Sequence, residues 1–222
     1  MEKGSWIDRH YLALFVAVAF GFSWLLFWPN VVAEEALITI PLLLFRILAS
    51  FGPGLAALLL IWQSEGSNQV KNILRSILSV EGKTKWVLTA VLLSLLIVAV
   101  PVIILVFKEG LSLSVIPWQG WLMLIPNFIL SLILFGSITD EIAWRGFLLP
   151  RLQKHYSAFI SSLIIGILWG LWQLPTYYFN GVVEINLSPI WLFIEAIALS
   201  IILTWLYNSS KSLAVVVIFN GV

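Results

Sequence analysis

The stretch "WVLTAVLLSLLIVAVPVIILVF" at residues 86–107 decides the fold, because it is apolar and carries no charged residue over its whole length. A helix needs about 20 residues to cross the hydrocarbon core of a bilayer, which is roughly 30 Å thick. The stretch is long enough to do so. It is therefore predicted to be a transmembrane helix.

Further apolar runs of similar length lie on both sides of this one, at 11–29, 37–62, 119–139, 157–179 and 190–207. Another begins at Ser212 and stops at Val222, where a helix would rise only ~16 Å, about half a crossing. We therefore predict an all-α, polytopic transmembrane helix bundle of about seven spans with the last one truncated. Residues 1–222 are expected to form a single transmembrane domain.

The composition agrees with a membrane protein. Of the 222 residues 61% are hydrophobic and only 10% are charged, whereas about a quarter of a typical soluble domain is charged. The net charge of +1 gives no sign of nucleic-acid binding. Cysteine is absent and the only histidines are His10 and His155, whereas zinc prefers thiolate and imidazole ligands. We expect no metal and no other cofactor.

The basic residues predict the orientation of the chain. Loops on the side of the N-terminus hold ten of the twelve lysines and arginines: Lys3, Arg9, Lys71, Arg75, Lys83, Lys85, Arg145, Arg151, Lys154 and Lys211. Cytoplasmic loops are enriched in Lys and Arg. The N-terminus and the elbow at 140–156 are therefore predicted to be cytoplasmic, in an integral protein of a prokaryotic plasma membrane.

The connector at 63–85 contains apolar residues at helical spacing: Val70, Ile73, Leu74, Ile77 and Leu78. This pattern is typical of an amphipathic helix. We expect a short helix that lies on the inner leaflet. The other interpretation is a solvated linker that is helical only in its middle.

A cluster of charges lies in "TDEIAWRGFLLPRL" at 139–152. Glu141 and Arg145 are four residues apart and can pair on one face of a helix. Asp140 projects about 100° away, where it could act as a general base beside the pair. The alternative is an interfacial charge cluster that stops translocation and caps a helix, and the spacing alone does not decide between the two.

Two amides occur in later apolar runs. Gln173 lies four residues after Trp169 and next to Trp172, and Asn220 lies in the final apolar stretch. A buried amide must satisfy both its donors and its acceptor. Each amide could join two helices, the commoner role of amides in membranes, or hold a substrate carbonyl or a water.

Arg46 and Glu195 are ionisable residues within predicted spans. Such residues suggest a functional site by default, and these two could pair with each other. They are the only features that suggest a transporter or channel. No inverted repeat or pair of broken helices supports that class.

The segment "DEIAWRGFLLPRLQKHYSAFISSLIIGILWGLWQLP" at 140–175 resembles the CPBP family of intramembrane proteases, also called the Abi or CAAX-protease family. "ASFGPGLAALLL" at 49–60 and "LTWLYNSSKSL" at 203–213 are similar to the family as well. The family-like core covers approximately residues 119–222. The resemblance implies a membrane-embedded endopeptidase that acts on a peptide or protein substrate, which can be lipidated.

The resemblance also implies a set of site residues. The family's paired glutamates correspond to Asp140 and Glu141, and its arginine to Arg145. Its two histidine positions correspond to Gln173 and Asn220. In the family the first glutamate activates water and the histidines position it and stabilise the oxyanion. Neither amide can carry a proton as imidazole does near neutral pH.

Two functions are consistent with these residues. The first is an intramembrane endopeptidase that hydrolyses a peptide bond of a membrane-associated or prenylated peptide, with Asp140, Glu141, Arg145, Gln173 and Asn220 as its catalytic set. The second is an inactive relative that binds a peptide in the same cavity, as an immunity or scaffold protein. Hydrolysis that depends on Asp140 distinguishes the first from the second.

Overall fold

A computed structural model describes residues 6–33, 39–109, 124–133, 136–179 and 188–221. The first five helices, α1 to α5, are Trp6–Val32, Ile40–Ser50, Gly52–Glu65, Ser67–Ser76 and Thr84–Glu109. There follow α6 (Leu124–Ile133), α7 (Ser137–Glu141), a π-helix (Ile142–Leu148), α8 (Leu149–Leu152), α9 (Ala158–Tyr177), α10 (Ile190–Ser210) and α11 (Leu213–Gly221). These ranges contain no strand, and the predicted all-α class is confirmed.

Within the described residues, five helical segments are long and apolar enough to cross a membrane: Arg9–Val32, Ile40–Glu65, Thr84–Lys108, Ala158–Tyr177 and Ile190–Ser210. They coincide with five of the predicted apolar runs. The predicted run at 119–139 includes 119–123 and 134–135, which lie outside the described residues, so the count of seven spans remains a prediction.

The connector after α3 forms the predicted helix, α4. Its residues Val70, Ile73 and Ile77 are half-buried against the core. Leu74 and Leu78 are exposed, so the apolar face only partly packs on the bundle. The position of α4 on the inner leaflet stays a prediction.

Small residues allow α9 and α10 to pack closely along their length. A Cβ atom on Gly166 would lie 2.6 Å from the Cα of Ile197, and one on Gly170 would lie 2.8 Å from the ring of Phe193. Helices in a bilayer associate largely through such close van der Waals packing, because lipid is as apolar as the side chains. The two glycines thus fix the position of α9, which carries the predicted Trp169 and Gln173.

Gly166→Ala is expected to lower the free energy of unfolding by about 1–3 kcal/mol, because the added methyl forces two packed backbones apart. Gly21→Ala is the matched control, since a Cβ there meets nothing within 4 Å. That control should stabilise α1 by about 0.5–1 kcal/mol. Thermal unfolding in detergent measures both, and equal shifts for the two variants would contradict this packing.

Candidate active site

A turn at Gly136, which has a positive φ of 85°, precedes the predicted elbow at 140–156. A Cβ at Gly136 would also lie 2.9 Å from the carbonyl oxygen of Ser50. Only glycine meets both conditions without strain. The amide of Asp140 and the hydroxyl of Thr139 both donate to the Gly136 carbonyl, at 2.7 and 2.9 Å. The turn therefore sets the position of the two carboxylates that follow.

Helix α3 closes over the same turn. A Cβ on Gly54 would lie 2.4 Å from the Cβ of Thr139, so α3 approaches the residue before Asp140 as closely as a glycine allows. This contact involves "FGPG" at 51–54, within one of the segments that resemble the family. The role of that segment is thus to hold α3 against the elbow.

A π-helix carries the next part of the motif, from Ile142 to Leu148. π-Helical turns are rare and often lie at functional sites. Trp144 and Arg145 lie within it, and both are completely buried. The elbow therefore directs a tryptophan and a guanidinium into the bundle.

Glu141 and Arg145 form the ion pair that their spacing predicts. The Arg145 Nη1 donates to Glu141 Oε1 at 3.1 Å, and neither side chain is exposed at all. Asn220 Nδ2, on α11, donates to the same Glu141 oxygen at 3.1 Å. The backbone of α11 is fixed there, because Ser137 and Ser94 donate to the carbonyls of Asn220 and Phe219 at 3.4 and 3.3 Å. The structure thus brings together three of the predicted site residues.

Asp140 is buried beside this pair, with 6% of its surface exposed. Its Oδ1 has no hydrogen-bond partner among the described residues, and the same is true of Glu141 Oε2, Arg145 Nε and Arg145 Nη2. Nearly all buried polar atoms in proteins have a partner. The centre therefore holds two carboxylates and one guanidinium with hydrogen-bonding capacity to spare, which suits binding of a polar substrate group.

Tryptophans surround the charged centre. The Arg145 guanidinium lies 5.4 Å from the ring centroid of Trp169. Trp144 packs edge-on against Trp172 at 6.5 Å and against Phe15 of α1 at 5.4 Å. Trp169 and Trp172 were singled out by sequence, but Trp144 and Phe15 were not. Trp144 could have been predicted as a site residue because it lies within the charged motif, next to Arg145. Nothing in the sequence marks Phe15 as a residue of the site.

Gln173 is only half-buried, and the side-chain hydrogen bond found at this residue in the described part of the chain involves its backbone and not its amide. Its backbone carbonyl accepts from the Thr176 hydroxyl at 2.7 Å. The neighbouring carbonyl of Trp172 accepts from the Trp24 indole of α1 at 3.1 Å. The backbone of α9, rather than the Gln173 amide, thus joins helices here, and the amide is not bonded to Glu141 or Arg145.

The suggested pairing of Arg46 with Glu195 is wrong. Arg46 Nε donates to Asn30 Oδ1 at 2.6 Å, and its guanidinium lies 4.5 Å from the Phe179 ring centroid. Glu195 is exposed on α10. The contacts of the arginine are thus with a neutral amide and a ring, and Asn30 in turn donates to the Leu42 carbonyl at 3.2 Å. This cluster joins α1, α2 and the segment after α9.

Among the described residues, no three His, Cys, Asp or Glu side chains lie close enough together to hold a metal ion. The groups that do converge are carboxylates, a guanidinium and an amide. They can accept a proton from a water, stabilise a negative charge and donate hydrogen bonds.

The fold and site define a polytopic helical membrane protein with a buried charged centre. Residues 117–222 match the family model described as type II CAAX prenyl endopeptidase Rce1-like. The chain is also 26% identical, over 177 residues, to CAAX prenyl protease 2 of Methanococcus maripaludis. That match covers 76% of this chain and 65% of the relative's length. Together the two matches confirm the predicted resemblance to the CAAX-protease (CPBP) family, which the family model carries over residues 117–222.

Proposed function

We propose that the chain is an intramembrane endopeptidase that hydrolyses a peptide bond of a membrane-associated or prenylated peptide. The observation that carries the proposal is the buried Asp140 carboxylate, whose Oδ1 lacks a partner among the described residues beside the Glu141–Arg145 pair. A general base must have an oxygen available to the water it activates. Glu141 Oε2 also lacks a partner among the described residues, but Glu141 Oε1 accepts from both Arg145 and Asn220, so we assign Glu141 to the supporting pair and Asp140 to the base.

The other residues then take supporting roles. Asn220 donates a hydrogen bond to Glu141 and is a positioning residue for the Glu141–Arg145 pair. The half-buried Gln173 amide can donate to the oxyanion that forms when water attacks the scissile carbonyl. Arg145 compensates the negative charge of the two carboxylates, which would repel each other in a dry site.

The substrate class is part of the proposal. The Methanococcus maripaludis relative is named as a CAAX prenyl protease, which supports a prenylated peptide that reaches the site from the membrane. The distribution of basic residues supports a cytoplasmic N-terminus and elbow. With that orientation, a lipidated cytosolic peptide would enter the charged centre from the cytoplasmic side.

A second function is favoured by the residues at the family's histidine positions. Gln173 and Asn220 cannot transfer protons near neutral pH, and Asp140 has a shorter arm than glutamate. A chain with this site could bind a peptide without cleaving it. Turnover separates the two functions, whereas peptide affinity does not.

The test is cleavage of quenched-fluorescent peptides, with and without a prenyl group, by the protein in detergent. Asp140→Ala is expected to reduce hydrolysis by at least about 10²-fold, because a positioned general base contributes roughly 10²–10⁴-fold. Glu195→Gln is the matched control, since it removes an exposed carboxylate from α10 and should leave the rate unchanged. Equal rates for the parent and Asp140→Ala would exclude the endopeptidase assignment, and binding without turnover would favour the second function.

A further inference from the structure

A cavity of about 340 Å³, which none of the predicted catalytic residues lines, lies between the end of α3, α4, the π-helix, α8 and the junction of α10 with α11. Its polar lining includes Glu65, Arg151, Lys154, Tyr207 and Lys211. Ligand pockets typically have volumes of about 300–1,000 Å³. The cavity is thus large enough for a small polar group but lies outside the proposed catalytic residues.

The charges of this cavity are not balanced. Arg151 donates to the Phe147 carbonyl at 3.1 Å and forms an ion pair with Glu65. Lys154 and Lys211 are exposed, and within the described ranges neither forms an ion pair. Three cationic side chains therefore share one carboxylate, which leaves two ammonium groups available to an anion.

Lys211 has a left-handed backbone, with φ 53° and ψ 39°, at the C-terminal end of α10. It is the only residue other than glycine with positive φ in the described part of the chain. Glycine or asparagine is usual at such a position. A cation there also interacts favourably with the helix dipole, which explains a positive charge at this position. The dipole does not explain why a lysine, rather than glycine or asparagine, has the left-handed backbone beside the cavity.

The cavity lies at one level of the bundle. It is bounded by the last residue of the segment Ile40–Glu65, by the elbow before Ala158–Tyr177 and by the end of Ile190–Ser210. These are ends of candidate membrane spans, where a bilayer has its headgroups. Basic residues at this level attract anionic lipids.

We propose that this cavity binds the phosphate group of an anionic phospholipid headgroup. Arg151, Lys154 and Lys211 supply the charge, and guanidinium and ammonium groups both recognise phosphate oxygens. The Tyr207 hydroxyl can donate a further hydrogen bond, and the apolar side chains of Ile73 and Leu213 can contact the lipid beyond the headgroup. A soluble phosphate shares this chemistry, and the experiment separates the two sources. The proposal does not depend on peptide hydrolysis.

The experiment is native mass spectrometry of delipidated protein titrated with dioleoylphosphatidylglycerol or with dioleoylphosphatidylcholine. The parent should retain the anionic lipid more tightly than the zwitterionic one. The double variant Lys154→Gln, Lys211→Asn should bind the anionic lipid about 30-fold more weakly, from the contribution of two basic residues near a membrane surface. Asparagine is chosen at 211 because it tolerates the left-handed backbone.

Lys83→Gln with Lys85→Gln is the matched control, because it removes two lysines that do not line the cavity. This control should weaken binding of the anionic lipid by less than about threefold, if binding depends on the cavity rather than on the overall positive charge of the surface. Equal losses in the two double variants would overturn the proposal, as would equal retention of the two lipids by the parent. Thermal stabilisation by inorganic phosphate as large as that by the lipid, and lost only in the cavity variant, would reassign the site to a soluble phosphate ligand.

Discussion

The triple variant Asp140→Glu, Gln173→His, Asn220→His is expected to hydrolyse peptide about 10²–10⁴-fold faster than the parent, the contribution typical of a positioned acid or base. It replaces the three residues that depart from the family pattern. Glutamate extends the carboxylate by one methylene, and a displacement of about 1 Å can change a rate on the order of 10²-fold. Imidazole transfers protons near neutral pH, which an amide cannot do.

The expected gain in hydrolysis requires that the imidazole introduced by Asn220→His donates to Glu141 as the Asn220 amide does. Asn220 Nδ2 donates to Glu141 Oε1 at 3.1 Å, and a ring N–H can donate in the same way. The single variant Asn220→Leu, which removes this donor, is the control and should gain no activity. A folded triple variant that cleaves no faster than the parent would show that the three departures do not limit catalysis.

Arg145→Met is expected to lower the free energy of unfolding by about 3–5 kcal/mol, the cost of breaking a buried ion pair by removing one partner. Both side chains of the pair are fully buried, and Asp140 is buried next to it. The variant would leave two adjacent carboxylates in a dry site with no cation. Chemical or thermal unfolding in detergent measures the loss.

The double variant Glu141→Gln, Arg145→Met is the matched test of that explanation. Its neutral glutamine keeps the length of Glu141 and can still accept from Asn220, so it removes one of the two uncompensated charges. The double variant should therefore be more stable than Arg145→Met alone. If the free energy of unfolding of Arg145→Met lies within about 0.5 kcal/mol of the parent's, the range of ordinary surface changes, the pair does not hold the elbow together.

The sequence predicted the helices because length and hydrophobicity largely determine a membrane span. The run at 86–107 lies within the helix Thr84–Glu109, and helical periodicity correctly identified α4. The same approach could not predict the π-helix at Ile142–Leu148, since a pattern read at 3.6 residues per turn carries no sign of a wider turn. The glycine contact of α3 with Thr139 was missed for a different reason, because it depends on packing between residues that are distant in the sequence.

The site was only partly predictable. Spacing of four residues was enough to predict the Glu141–Arg145 pair. The bond between Asn220 and Glu141 joins residues 79 positions apart, and only the family resemblance placed both in one site. Glu195 was suggested as a possible partner of Arg46 because charges are easy to recognise in a membrane sequence, whereas the contacts of Arg46 in the structure, Asn30 and Phe179, are neutral.

The central claim is that Asp140 activates water to cleave a peptide bond, and mass analysis of peptide products formed in ¹⁸O-labelled water tests it most directly. The account predicts two complementary fragments with the label in the new carboxylate for the parent protein. It predicts none for Asp140→Asn, which keeps the shape of the side chain but cannot act as a base. Intact peptide, bound equally well by both proteins, would contradict the claim and identify the site as a binding cavity.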